Sequence, residues 1–294
     1  MRTKLLAGTA VFGFFSTLTA AAVPDALVDA VQAPVWVERA ERRLALAPGM
    51  PLENRDRVLT GSGARLIVKL ADGSTVKLGE NVNVRVNAMK QGEQGGQGFF
   101  TAALDVSKGA FRLSTDIFRK RQMQRSINIR AGMVTIGIRG TAVWGRSGNE
   151  TDLVCLLEGH VVASHPMAEP TELTEPLQFY AANKGQAPVA VASVEPGELA
   201  RWALETELQH GLATQQTDGR WTLNFGRFDK DGALTLHDQL SAAGYAGRIR
   251  PVLVSGGYLY ELRLEKLVTG REAQLLADKL VRDLQFPVPA IRRY

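Results

Sequence analysis

Between Val35 and Ser164 the apolar residues recur at every second position, and over about the last 75 residues that period gives way to alternating strand and helix patterns. The first pattern is the more restrictive, because a period of two places an apolar set on one face of a strand and requires a second layer to cover it. Leu66, Val68 and Leu70 alternate with Ile67 and Lys69; Val76 and Leu78 follow the turn Asp72-Gly73; Val82, Val84 and Val86 alternate with Asn83 and Arg85. Leu104 and Val106, Phe111 and Leu113, Ile127 and Ile129, and Val134, Ile136 and Ile138 continue it. Leu153 to Val162 is a more continuous apolar run, as in a buried strand. Short strands separated by Gly, Asn and Asp predict an all-β domain over 30–165, a sandwich or a β-roll. The glycine-rich run Gln91 to Gly98 reads as a hairpin loop and not as a phosphate cradle, since no helix follows it.

Residues 166–216 read as a linker carrying one further strand near 186–192 and a helix over 195–210, opened by Pro196 and lined by Leu199, Trp202 and Thr206. This helix either packs back on the β domain or acts as a stiff spacer. Beyond it come a strand (Trp221–Phe228), a helix (Ala233–Ala243, closed by Gly244) and two strands (Arg248–Val254, Tyr258–Leu264). A helix capped by Thr269 with Glu272 and a weak edge strand, Val288–Ile291 between prolines, complete the chain. The order βαββαβ predicts an α+β, ferredoxin-like domain over 217–294, with helices on one sheet face and the other face open.

With 45% hydrophobic and 22% charged residues the chain is neither disordered nor a polytopic membrane protein. Arg2 and Lys4, the apolar stretch Leu5 to Leu18 and the small residues Ala20-Ala21-Ala22 have the three-part layout of a signal peptide, 1–22. Its removal predicts an exported, periplasmic chain without a transmembrane span, and lowers the formal charge from +5 to +3. The surplus lies in 217–294, with 12 basic and 9 acidic residues, too small an excess to imply nucleic acid. One cysteine, Cys155, precludes an intrachain disulfide and reads as a buried small hydrophobe. The basic run Arg119-Lys120-Arg121, with Arg125, reads as a solvated connection or a contact for an anionic polymer.

Two stretches resemble known families. Asp56-Arg57-Val58-Leu59-Thr60-Gly61, Leu70 to Leu78, Val106-Ser107-Lys108-Gly109-Ala110-Phe111, Arg139-Gly140-Thr141-Ala142-Val143 and Leu156 to Val161 follow one another as in the FecR-type domain of bacterial envelope proteins. That resemblance implies a periplasmic β domain used for protein contacts; the family's namesake adds a cytoplasmic anti-sigma segment, which is not expected here. Trp221-Thr222-Leu223-Asn224-Phe225-Gly226-Arg227-Phe228 resembles the first half-motif of the SPOR domain, and Tyr260 to Leu267 followed by Gly270-Arg271-Glu272-Ala273 its second half, without the usual Gly-Pro-Phe. Asn224, Arg227 and Glu261 stand where that family often has Gln, Ser and Arg. The resemblance implies binding of peptidoglycan glycan strands stripped of stem peptides on the uncovered sheet face, and a link to cell division or wall remodelling.

A stripped glycan offers hydroxyls, N-acetyl groups, ring faces and lactyl carboxylates, so its reader needs amides, a platform and cations. Alternation sets Thr222 and Asn224 opposite Trp221, Leu223 and Phe225, and Arg227 joins them if Gly226 forms a bulge. Glu261 and Arg263 share one face, where they contact ligand or only pair with neighbouring strands. Asn224 is expected to bond an N-acetyl or hydroxyl group, Arg227 or Arg263 a carboxylate, and Tyr258 to stack on a sugar. Catalysis is not expected: no Gly-x-Ser-x-Gly elbow is present and Cys155 has no nearby His. Neither a cofactor nor a metal is expected, His160 and His165 being too few. The main reading is an exported peptidoglycan-binding protein whose β domain engages an unidentified envelope protein. The alternative is a periplasmic FecR-like sensor or regulator in envelope signalling. RNA binding on the βαββαβ sheet is rejected, because no strand presents the required aromatics.

Overall fold

A computed structural model describes residues 23–115, 123–209 and 211–294; the predicted signal peptide and the run Arg119-Lys120-Arg121 lie outside the described residues. No helix among the described residues is long and apolar enough to cross a membrane. The chain is mostly β. Its first half contains β1 (Ala26–Gln32), β2 (Val35–Arg39), β3 (Arg42–Ala45), β4 (Arg57–Thr60), β5 (Arg65–Leu70), β6 (Thr75–Leu78), β7 (Asn83–Gln94), β8 (Gln97–Ser114), β9 (Met123–Ala131), β10 (Val134–Ile138), β11 (Ala142–Ser147) and β12 (Thr151–Glu158). Then come β13 (Val161–His165), β14 (Ala168–Leu173), β15 (Gln178–Asn183), β16 (Ala192–Ser193), α1 (Pro196–Leu204) and β17 (Thr214–Gln216). The last part is β18 (Trp221–Phe228), α2 (Lys230–Ala242), β19 (Arg248–Val254), β20 (Gly257–Leu267), α3 (Gly270–Leu284) and β21 (Ala290–Arg293).

The strands up to β16 form a two-sheet sandwich. Sheet I runs β1-β5-β6-β8-β11-β12-β15-β16. Sheet II runs β3-β2-β4-β7-β8-β9-β10-β13-β14. The long strand β8 belongs to both: its first half pairs with β7 and, in parallel, with β9, and its second half with β6 and β11. The changeover falls at Gly109, whose φ is +91° and whose missing Cβ would lie 2.7 Å from the Val82 Cα, so no other residue fits the corner. The alternating residues of the sequence fill the interior: Leu66, Phe111, Leu113, Ile127, Ile129 and Ile136 are at most 1% exposed. Each such side chain stabilises the fold by about 1.5–3 kcal/mol.

Four expectations are corrected. Residues 168–183, read as linker, form β14 and β15 of the sandwich; β15 pairs with β12 and places Tyr180 in the core at 1% exposure. The helix read over 195–210 covers only Pro196–Leu204, and the expected strand near 186–192 is reduced to an isolated bridge at Pro188 and the short β16. Beyond the helix, Glu205 pairs with Arg146 at 3.0 Å, and Glu207 with Lys77 at 2.5 Å and Arg112 at 3.1 Å, tying the segment to sheet I. Of the two roles left open for this helix, the structure selects packing. Trp202 stacks on Trp144 with ring centroids 5.0 Å apart and meets Phe179 edge-on at 6.4 Å, sealing the outer face of sheet I over Cys155. Arg125 is also not part of a solvated run; it is buried against Asp72, with Nε 2.9 Å from the carboxylate and Nη2 donating to the Asp72 carbonyl at 2.9 Å.

The C-terminal unit has strand order β19-β20-β18-β21, all antiparallel. Its core is Leu223, Phe225, Leu262, Leu264 and Leu267 against Leu240, Ala273, Leu276, Ala277 and Leu280 of the two helices. Asp229 and Thr269 cap α2 and α3 by accepting from the amides of Gly232 and Glu272. The unit is joined to the sandwich by β17, which pairs with β1 and with the end of β20. Trp36 Nε1 donating to the Ser241 carbonyl at 3.1 Å, and Lys266 Nζ to the Pro48 carbonyl at 2.8 Å, reinforce the junction.

Candidate functional site

The helix side of the C-terminal sheet takes Leu223, Phe225, Leu262 and Leu264, so alternation turns Thr222, Asn224, Glu261 and Arg263 to the opposite face. Register then decides who meets whom. Asn224 lies opposite Arg263, and a bulge shifts the pairing so that Arg227 lies opposite Glu261. Gly226, at φ +109°, makes that bulge, and its amide is held by the Asn224 Oδ1 at 2.9 Å. The Glu261 carboxylate, buried at 6% residue exposure, accepts from Arg263 through Nε (3.0 Å) and Nη2, from Arg227 Nε at 3.1 Å, and from Asn224 Nδ2 at 3.4 Å. The Arg263 hydrogen bonds are the main reason its carboxyl stays below the usual carboxylate range, with Arg227 adding and burial opposing.

Four predicted residues therefore form one hydrogen-bonded group, in which Glu261 already occupies the cations expected to receive a ligand carboxylate. The other two do not join it. Thr222 is buried at 6% exposure. Tyr258 pairs with Leu253 near the hairpin turn, and the uninterrupted register steps it onto the side of Tyr260 and Leu262, away from Asn224. Three arginines that the sequence reading passed over share the predicted face: Arg250 opposite Glu261, Arg248 opposite Arg263 and Arg292 opposite Thr222. Their outward alternation was visible, but the pairing that collects them was not.

A second polar group lies on the outer face of sheet II. Inward Val58, Val84, Leu104 and Ile129 leave Arg57, Arg85, Asp105 and Arg130 facing out. These occupy a single row across four strands, since Arg57 pairs with Arg85, Arg85 with Asp105, and Asp105 with Arg130. Arg57 donates to Glu38 at 3.1 Å and to Asn83 at 2.9 Å, and Arg130 is paired with Asp105. Arg85, exposed, makes no ion pair or side-chain hydrogen bond among the described residues. Together with Asn83, Asn87 and Ser107 they line a concavity of about 570 Å³. The sequence signal for it was a charged residue between apolar neighbours at Arg85, Asp105 and Arg130.

Neither group resembles a catalytic centre. Ser147 and Lys184 approach to 3.4 Å, but Lys184 Nζ is held by both Asp152 carboxylate oxygens at 2.6 and 2.7 Å and Ser147 Oγ donates to the same carboxylate at 2.8 Å, so the three side chains form a closed structural network. Cys155 is fully buried, and desolvation pushes its thiol up to about 11. No cluster of three or more metal-ligating side chains occurs among the described residues.

Comparison with known proteins places these features. Residues 56–162 match the FecR protein family. Two crystal structures of anti-sigma-factor candidates from Parabacteroides distasonis are similar to this chain. The one at 2.50 Å resolution has 16% identity and a TM-score of 0.39, over 76% of this chain and 89% of that one; the one at 1.65 Å has 13% identity and a TM-score of 0.39, over 81% and 99%. A likeness that low carries no argument about function. No curated protein matches. The SPOR resemblance of the C-terminal unit receives no support from these comparisons. The matched segment runs from β4 into β13, so the sandwich extends beyond it at both ends. Residues 56–162 of this chain are a FecR domain.

Proposed function

We propose that this chain is an exported regulator in envelope signalling, whose FecR-containing sandwich receives a protein partner. The observation that carries the reading is the asymmetry of the sandwich around its FecR domain: α1 and its Trp202 seal the outer face of sheet I, while the outer face of sheet II presents an uncovered row of charged residues. A partner can dock on that row without displacing any part of the chain, because α2 covers the same face only at its Trp36 end. The test is deletion of the gene in its source organism, followed by transcript sequencing with and without the full-length chain supplied in trans. A defined set of transcripts should change at least twofold and return to normal on complementation. A transcript profile unaltered by the deletion would overturn the reading.

A second reading concerns the C-terminal unit, and is favoured by its βαββαβ order with both helices on one side and polar Asn224, Arg227, Glu261 and Arg263 on the other. As a ferredoxin-like module it would hold stripped peptidoglycan, with Asn224 reading hydroxyl or N-acetyl groups and Arg227 or Arg263 moving from Glu261 to a lactyl carboxylate. Retention of the full chain on amidase-treated sacculi above untreated ones, lost in Asn224→Ala/Arg227→Ala, supports it. Equal retention on both refutes it.

A further inference from the structure

We infer that the arginine row on the outer face of sheet II is a binding site for an acidic peptide segment of a partner protein, with Arg85 as its main contact. This rests on the signalling reading only in taking the partner to be a protein.

The first ground is electrostatic. Arg57 and Arg85 are directly paired neighbours on adjacent strands, and strands lie about 4.8 Å apart. Like charges placed opposite each other destabilise a sheet. Arg57 is relieved by Glu38 and Asn83, whereas Asp105, the opposite-charge neighbour of Arg85 in the row, is paired with Arg130, and Arg85 makes no ion pair among the described residues. The concavity therefore carries three arginines against one aspartate. A guanidinium in this setting gains most from an incoming carboxylate, which its planar fork can bind with two parallel hydrogen bonds.

The second ground is the identity of the other lining groups. Asn83, Asn87 and Ser107 offer donors and acceptors suited to peptide backbone and polar side chains. Asp105 stands within the row, so a densely and evenly charged polymer, such as nucleic acid or a sulfated glycan, would meet repulsion at its centre. A segment with carboxylates separated by uncharged residues can place them on Arg57, Arg85 and Arg130 and avoid Asp105. The third ground is access: Arg85, Asn87, Ser107 and Arg130 are exposed, on the sandwich face that α1 does not cover.

The test is fluorescence anisotropy of the full exported chain with a fluorescein-labelled twelve-residue peptide carrying four spaced glutamates, beside its glutamine twin and labelled heparin. The glutamate peptide should bind at least tenfold more tightly than the twin and than heparin, and weaken as salt is raised. Arg85→Glu should weaken it at least tenfold and Arg85→Ala severalfold, with the melting temperature of the exposed Arg85→Ala variant equal to or above that of wild type. Equal binding of both peptides, preference for heparin, or Arg85→Glu behaving as wild type would overturn the inference. The two proposals fail separately. If deletion alters transcription yet Arg85→Glu binds as wild type, the site is wrong and signalling stands; if the peptide binds through Arg85 and transcription is unmoved by deletion, the reverse holds.

Discussion

Replacing Trp202 by alanine should detach the strap that covers sheet I while leaving the sandwich folded. Trp202 is the one buried residue of α1, at 9% exposure, so the nine-residue helix depends on it for attachment. Truncating a buried tryptophan costs about 3–5 kcal/mol, of which the stack on Trp144 accounts for about 0.5–1.5 kcal/mol. What remains is weak: the Glu205–Arg146, Glu207–Arg112 and Glu207–Lys77 pairs are between a quarter and about two-fifths exposed on each partner, and such pairs contribute about 0–1 kcal/mol each. Glu205 gains little in any case, since burial raises its carboxyl pKa against the pull of Arg146. A helix this short has no stability of its own in water. Amide hydrogen exchange followed by mass spectrometry reads the effect locally. Exchange in 196–204 should accelerate at least about a hundredfold, as a local opening made about 3 kcal/mol easier requires. Strands β5, β8 and β12 should keep their protection. An acceleration below about tenfold, or simultaneous loss of protection in the core strands, would refute the view that α1 is an independently docked cover.

Three further outcomes follow from particular residues. Glu261→Gln should lower stability to urea at pH 7 by about 1–3 kcal/mol, because it replaces hydrogen bonds to a charged acceptor. As the Glu261 carboxyl is depressed in the folded chain, its contribution is complete above the unfolded value of about 4.3 and is lost as pH falls through the folded value; the gap between the two proteins should narrow as pH is lowered below the unfolded value, and a constant gap would contradict the assignment. Gly109→Ala should cost about 2–4 kcal/mol, combining left-handed backbone strain with the clash on Val82, and a melting temperature equal to wild type would contradict the corner. Cys155 should resist maleimide at pH 8 in the native protein and react fully in urea, its thiol being buried and pushed up to about 11; native-state labelling would show sheet I uncovered.

The strands of the sandwich were legible wherever one face is apolar, as at Leu66, Val68 and Leu70. They were illegible at β14, where Leu173 alone is buried and Ala168, Glu169 and Pro170 are exposed, so an edge strand has the composition of a linker. The Glu261–Arg263 side-by-side placement followed from a spacing of two, and Arg227 joined through the Gly226 bulge; the same spacing of two already sets Tyr258 on the side of Tyr260 and Leu262, so its expected place beside Asn224 conflicted with the alternation itself. Long-range pairing is the larger gap. Arg57, Arg85 and Arg130 lie far apart in the chain; β4 pairs directly with β7, and β8, by pairing in parallel with β9, brings in Arg130, a choice made by the core as a whole and by no local pattern. Arg125 shows the same limit: beside other cations in sequence, it is buried on Asp72 in space.

The most direct test of the account is complementation of the deletion strain by the Arg85→Glu chain, read by the same transcript set. If the uncovered face of sheet II receives the signalling partner, Arg85→Glu is exported at wild-type levels and leaves those transcripts in their deletion state, while Asn224→Ala/Arg227→Ala restores them. Full restoration by Arg85→Glu would contradict it.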